Sequence, residues 1–218
     1  MAMDRARQRQ RLRAALLCAA VVWLALGYIH CGAAQQAGSV AGTVQPKDLC
    51  ACLPVEPAIA DYRHLAKHVP IANATPQEIT IGTILGWPQG LPVLPPDAPR
   101  SGRELQVFHV SRAYIQFASV NGGDCDVDLE VSDTPDKTAA RVIVETPVDS
   151  EYCSARANLQ TQLSQHGFRL DPQHGGELSQ PIPAEITGMA FEDFEHDRGT
   201  SGVGTLWELH PAVVNVLP

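Results

Sequence analysis

Apolar and polar residues alternate along the second half of the chain, and the alternation predicts β-strands. In "DVDLEVS", Val127, Leu129 and Val131 alternate with Asp126, Asp128 and Glu130. This pattern is typical of a strand with one buried and one solvated face. The preceding "ELQVFHVSRAYIQFASV" is β-branched and aromatic, which favours a long strand, and "ARVIVETP" predicts a third. The turn "NGGD" would join the first two.

A change to helical spacing follows the third strand. In "VDSEYCSARANLQTQLSQHG", Leu159 and Leu163 are four residues apart, Asp149 or Ser150 can cap the helix, and Gly167 can end it. Two further strands are predicted in "AEITGMAFEDFE" and "VGTLWELHPAVVNVL".

The order of these elements is three strands, one helix and two strands. It predicts a mainly β fold, an OB-like β-barrel of five strands with one helix between strands 3 and 4. A hairpin sheet packed against one helix would give the same order of elements. We favour the barrel, because closure leaves few unpaired strand edges.

The chain before this barrel shows little periodicity. Residues 35–103 are predicted to be a poorly ordered N-terminal region that ends in a Pro-rich linker, and residues 104–218 the β domain. Within the first region, "DYRHLAKHV" predicts one or two helical turns, and "QEITIGTIL" predicts a short strand.

Residues 1–34 have the parts of a secretory signal: a basic stretch, the apolar "AALLCAAVVWLALGYI" and the small residues of "CGAAQQ". We expect cleavage near Ala34 and export to the periplasm or the extracellular space. The alternative is an uncleaved anchor, which would tether the protein to a membrane.

The charge balance argues against nucleic-acid binding. The signal segment contains five of the 16 basic residues and one of the 24 acidic residues, so the remainder has 11 bases, 23 acids and a net charge of −12. Such an acidic body repels phosphate backbones.

The cysteines fit an oxidising compartment. We predict a disulfide between Cys125 and Cys153, whereas Cys31, Cys50 and Cys52 cannot be assigned from the sequence. An alternative use of Cys50 and Cys52 is a zinc site with His64 and His68, but their spacing is unusual for such a site. These candidate ligands are Cys50, Cys52, His64 and His68.

The richest candidate site lies in "FEDFEHDRGTSGVGTLWELHP". A hairpin would bring His196 towards Glu208 and His210, which share one strand face, with Asp193 nearby. These residues suit a divalent metal such as zinc, or a His–carboxylate acid/base pair. The simpler interpretation is a polar strand end, with Trp207 and Leu209 filling the core.

A second acidic cluster lies in "DCDVDLE". Asp124 and Asp126 could bind calcium at the turn, but the ligand order of an EF-hand loop is absent. The alternation already explains Asp126, Asp128 and Glu130 as a solvated strand face.

The series "GGDCDVDLEVSD", "VIVETPVDSEYCSAR", "MAFEDFEH" and "WELHP" resembles a widespread family of small secreted bacterial proteins of unknown function. The resemblance covers about Glu104 to Pro218. The family's second strand commonly has Asp-x-Asp-x-His-Leu, its third ends in Glu-x-Pro followed by a Cys, and its last strands contain Phe-x-Asp-x-x-His and Glu-x-His-Pro. This chain has Asp128 where the family has the histidine of that second strand. The resemblance implies secretion. It implies nothing about activity, because the function of the family is unknown.

Two functions remain open from the sequence. The first is an exported module that binds an oligosaccharide, a peptide or a partner protein, with Tyr114, Phe117 and Trp207 as candidates for the binding face. The alternative is a metal-dependent, phosphodiesterase-like hydrolase that uses the Asp193, His196, Glu208 and His210 cluster.

Overall fold

The structure, a computed structural model, describes residues 48–54, 62–89, 92–194, 199–200 and 202–218. The predicted signal, residues 1–34, lies outside this part of the chain. The described residues contain three α-helices, three short 3-10 turns and six strands. The 3-10 turns are Leu49–Ala51, Gly102–Leu105 and Ser150–Tyr152, and the α-helices are α1 (His64–Lys67), α2 (Ile81–Leu85) and α3 (Cys153–Gln165). The strands are β1 (Gln77–Glu78), β2 (Val107–Val120), β3 (Val127–Ser132), β4 (Arg141–Thr146), β5 (Gly176–Glu192) and β6 (Val203–Val216).

Five of the strands close into a mixed barrel. The sheet has the order β1-β2-β3-β4-β6-β5, and pairing between β2 and β5 closes it. β4 and β6 run parallel, whereas the other barrel neighbours are antiparallel. The prediction of a mainly β barrel of five strands, with the helix between the third and the fourth, is confirmed.

The predicted alternation of β3 is confirmed on its apolar side only. Val127, Leu129 and Val131 are fully buried in the core. The acidic side was predicted to be solvated, and this is wrong for Asp126 and Glu130, which are 1% and 2% exposed. Other segments of the chain cover that face of the strand.

Helix α3 lies where the sequence predicts it. Leu159 and Leu163 bury their side chains in the core, and the chain leaves the helix through Gly167, whose φ of 75° favours glycine. Asp149 precedes the helix and its leading turn, but its side chain forms no capping hydrogen bond. It contacts His68 instead.

The stretch "QEITIGTIL" was predicted to be a strand, and this is correct only for the two residues of β1. Helix α2 follows, because Thr80 caps it and the Asp133 carboxylate accepts hydrogen bonds from the amides of Ile81 and Gly82. Ile81 and Ile84, together with Leu49, are fully buried in the barrel core. The weak periodicity before residue 104 gave no indication of this contribution. The short helix expected in "DYRHLAKHV" is present as α1.

Within the described ranges, none of the helices has both the length and the apolar character needed to cross a membrane.

Candidate functional site

Three of the four residues predicted to form a site lie close together, while His196 lies outside the described residues. Asp193 follows the end of β5, and Glu208 and His210 lie on β6. Lys67 Nζ lies 3.7 Å from Asp193 Oδ2 and 3.7 Å from Glu208 Oε1. The ammonium group therefore links the end of β5 to the neighbouring strand β6.

Glu208 and His210 are not an exposed strand end. They are 0% and 1% exposed, and they alternate with Trp207 and Leu209, which belong to the apolar core. Strand alternation therefore turns Glu208 and His210 away from the core. They are buried because α1 and the residue after it, His68, pack over this side of the barrel.

His210 lies at the centre of a cluster of carboxylates. Its Nε2 atom is 3.5 Å from Asp126 Oδ2. Its Nδ1 atom contacts the Glu145 carboxylate and lies 3.4 Å from Glu208 Oε1. These acidic residues come from the turn before β3, from β4 and from β6, so the barrel closure brings them together.

His68 approaches the same aspartate from the segment that packs over this side of the barrel. This segment, α1 together with His68, is called the covering segment below. Its Nε2 atom lies 3.7 Å from Asp126 Oδ2, and its Nδ1 atom lies 2.7 Å from Asp149 Oδ2. The rings of His68 and His210 meet edge to face, with centroids 5.6 Å apart, and the His64 ring packs 3.9 Å from that of His68.

Asp126 is held in a fixed orientation. Its Oδ1 atom accepts a hydrogen bond of 2.7 Å from the Val148 amide, which leaves Oδ2 facing the two histidines. Its own amide donates to Asp124 Oδ1. Asp126 therefore belongs to the histidine cluster, while the Asp124 carboxylate stabilises the turn.

Burial and neighbouring charges shift the acid–base properties of the cluster. Burial raises the pKa of Asp126 to about 7, and the nearby histidines only partly offset this. Burial, together with the neighbouring Glu145, raises the pKa of Asp128 well above its usual range. Burial opposes the charged ring of His210, but Glu145, Glu208 and Asp126 outweigh it and raise its pKa to about 10. The neighbouring carboxylates therefore favour the charged form of the His210 ring.

Arg100 fastens the covering segment to the barrel. Its guanidinium donates hydrogen bonds to the carbonyls of Ala66 on α1, Ala190 on β5 and His210 on β6. Burial lowers the pKa of Arg100 to about 10, which leaves the group charged at neutral pH.

A buried ion pair and a tyrosine complete this attachment. Arg63 donates two hydrogen bonds, of 2.7 and 2.8 Å, to the Glu104 carboxylate, which also accepts from the Glu192 amide. Tyr152 Oη donates to the Val69 carbonyl and accepts from the Ile71 amide. The chain is therefore anchored before His68 by Arg63 and after His68 by Tyr152.

Two disulfides brace the other side of the cluster. They join Cys50 to Cys153 and Cys52 to Cys125. The predicted pairing of Cys125 with Cys153 is therefore wrong, although both residues form bridges. Because Cys50 and Cys52 are oxidised, they cannot supply thiolates to a zinc site with His64 and His68. Disulfides are compatible with an exported protein.

A groove adjoins the cluster at the end of β5. Tyr62, Val93, Leu94 and Phe194 form its apolar wall, and polar residues line the rest: Arg63, Ser101, Glu104, Glu192 and Asp193. The rings of Tyr62 and Phe194 pack with centroids 4.7 Å apart.

The aromatic residues predicted for a binding face are only partly available. Trp207 lies beneath this groove, is 5% exposed and donates its indole N–H to the Pro88 carbonyl. It is chiefly a core residue. Tyr114 and Phe117 are half-buried on β2.

The site also contains four residues that were not predicted to belong to it: Lys67, His68, Asp126 and Glu145. One signal was present: Glu145 interrupts an otherwise apolar strand, "VIVET". The histidine pair His64 and His68 was noticed, but it was connected with the cysteines. No local pattern indicates that these segments meet.

The assembled arrangement can bind a cation, or it can exchange protons between imidazoles and carboxylates. Comparisons with known proteins add no assignment: no family model, curated protein or solved structure matches this chain.

Proposed function

We propose that this protein is an exported OB-like barrel module that binds a short peptide segment of a partner protein. The groove formed by Tyr62, Val93, Leu94 and Phe194 supports this proposal best. A concave site that combines apolar surface with polar groups is a common form of binding site, and this groove has both. The two disulfides, the signal-like N-terminus and the resemblance to a secreted family support export.

The position of the groove also favours binding. Asp193 and Phe194 stand at the end of β5, where the connection to β6 begins. In OB barrels, the connection between the last two strands commonly contributes to ligand binding. The position of the groove supports binding by analogy of fold, and its shape supports binding independently.

The lining residues indicate the class of ligand. Val93 is 66% exposed at the edge of the groove, beside the rings of Tyr62 and Phe194. An apolar peptide side chain would cover these groups, and the net charge of −12 without residues 1–34 favours a peptide that also has basic residues.

The test is selection from a displayed library of short linear peptides, followed by measurement of Kd for the enriched sequences. Val93→Asp should weaken binding at least about tenfold, because it places a charge against the apolar contact. The matched control is Leu53→Asp, since Leu53 is 64% exposed and does not line the groove. Failure to enrich any peptide, or equal Kd values for both variants, would overturn the proposal.

The metal-dependent hydrolase is the second candidate, because Asp193, Glu208 and His210 lie near one another. A catalytic ion needs an open position that substrate can reach, whereas Glu208 and His210 are almost fully buried. This burial favours binding over catalysis. Hydrolysis of an activated phosphodiester with added zinc or manganese, abolished by Glu208→Gln, would reverse the choice.

A further inference from the structure

Two histidines of the buried cluster point the same ring atom at one carboxylate oxygen. His68 Nε2 and His210 Nε2 lie 3.7 and 3.5 Å from Asp126 Oδ2. On the other side of each ring, Nδ1 contacts a carboxylate, Asp149 for His68 and Glu145 for His210. A carboxylate at one ring nitrogen, with the other nitrogen turned inward, is the usual environment of metal-binding histidines.

Two of these inward atoms have no hydrogen-bond partner among the residues that the structure describes. They are Asp126 Oδ2 and His210 Nε2, and both residues are 1% exposed. Their separation of 3.5 Å is too long for a strong charge-assisted hydrogen bond. Buried polar atoms without a partner are costly, so this pair indicates a group that lies between them.

We propose that His68 Nε2, Asp126 Oδ2 and His210 Nε2 bind a divalent metal ion of the zinc class. These three atoms lie within 4.8 Å of one another. Donors bound to one tetrahedral zinc ion at its usual bond lengths are roughly 3.3–3.6 Å apart. The observed 3.5 and 3.7 Å therefore require little movement. Two imidazoles favour zinc or a similar transition metal over calcium.

A neighbouring set of atoms is a poorer candidate. Glu145, Glu208 and His210 also have ligand atoms within 4.8 Å of one another. However, Lys67 Nζ lies 4.0 Å from Glu145 Oε2 and 3.7 Å from Glu208 Oε1. The ammonium group already balances these carboxylates and would repel a second cation. Asp126 lies on the opposite side of the His210 ring, so the ion is assigned there.

The ion would have a structural role that is independent of the peptide groove. Its ligands come from the covering segment, the turn before β3 and β6, so one ion would tie all three together. The three residues are nearly inaccessible to solvent, with a His68 side chain that is 5% exposed. Such burial leaves little room for a substrate, which favours a structural role.

The test uses the full mature chain without a histidine tag, stripped with a chelator and titrated with Zn²⁺ alone. We expect one zinc per chain by elemental analysis and a higher unfolding temperature on addition of zinc. His68→Gln and Asp126→Asn should abolish both effects. The matched control is His166→Gln, which changes an exposed histidine outside the cluster and should leave both unchanged.

Two further measurements keep the proposal falsifiable if a ligand variant fails to fold. Asp149→Asn changes a carboxylate that is 41% exposed and should weaken zinc affinity about 10–100-fold without changing a ligand. The visible absorption of the unmodified protein loaded with Co²⁺ should report ligation by nitrogen and oxygen and no sulfur. Absence of stoichiometric zinc and of a thermal shift would overturn the site. Unchanged zinc binding by His68→Gln and Asp126→Asn would also overturn it.

Discussion

Lys67→Met should strongly destabilise the protein, because it removes the ammonium group from a buried set of carboxylates. Lys67 Nζ lies 3.7 Å from Asp193 and Glu208 and 4.0 Å from Glu145, and its side chain is 8% exposed. Methionine nearly preserves the length and the apolar stem of lysine. The substitution therefore tests the charge and not the packing.

The magnitude follows from the distances. With an effective dielectric constant of about 20, one ion pair at 3.7 Å attracts by roughly 4.5 kcal/mol before desolvation is counted. Desolvation of the ammonium and carboxylate groups offsets much of this attraction. Loss of one partner from a buried pair typically costs about 3–5 kcal/mol, because the other charge stays buried. We expect a loss in this range for Lys67→Met at pH 7.

The assay is urea unfolding followed by tryptophan fluorescence, in the presence of a chelator so that metal binding does not contribute. Lys137→Met is the control, because Lys137 is exposed. The double variant Lys67→Met/Glu208→Gln should lose less stability than the two single variants together, since the pair is broken only once. A Lys67→Met variant within about 1 kcal/mol of the parent, or strict additivity in the double variant, would refute the reasoning.

Three further predictions concern the barrel and its covering segment. Trp207→Ala should cost about 3–5 kcal/mol in chemical denaturation, whereas Trp207→Phe should cost clearly less because it keeps a ring against Trp87; equal losses would contradict this. Burial favours the neutral form of Glu104, but its hydrogen bonds with Arg63 outweigh this and lower the pKa of the carboxyl group. Glu104→Gln should therefore destabilise the protein at pH 7. That contribution is present above the ordinary glutamate pKa and is lost as the pH falls below it, so the difference from the parent should shrink between about pH 5 and pH 3; a constant difference would refute the assignment. Mass mapping of unreduced digests should find Cys50–Cys153 and Cys52–Cys125. Replacement of the first bridge should cost about 3–4 kcal/mol, because the second bridge already shortens the loop that the first one closes; a Cys125–Cys153 fragment would contradict the structure.

The features that could be predicted from the sequence are those that local periodicity encodes. Alternation of apolar residues identified the five barrel strands, and the spacing of Leu159 and Leu163 identified α3. Local pattern also indicated that Glu208 and His210 share one face. These predictions need only the repeat of a strand or a helix.

The disulfide pairing could not be predicted from local sequence pattern. Pairing of cysteines depends on the distance between their Cα atoms, which the barrel closure determines. Cys125 and Cys153 were the natural pair because both belong to the barrel domain. Cys50 and Cys52 lie in a segment without periodicity, yet that segment packs Leu49 into the core and reaches both barrel cysteines.

The buried cluster was missed for a related physical reason. Alternation shows which residues of a strand share a face, but it does not show whether another segment covers that face. Asp126 and Glu208 therefore resembled solvated positions, although both are buried. The covering segment buries the Lys67 ammonium group and the His68 ring against carboxylates instead of presenting an apolar stripe. A hydrophobic pattern cannot reveal an interface of this kind. Two features of a sequence can indicate such a polar interface. One is a surplus of acidic residues on strands, and the other is a lysine next to a histidine in a short helical segment.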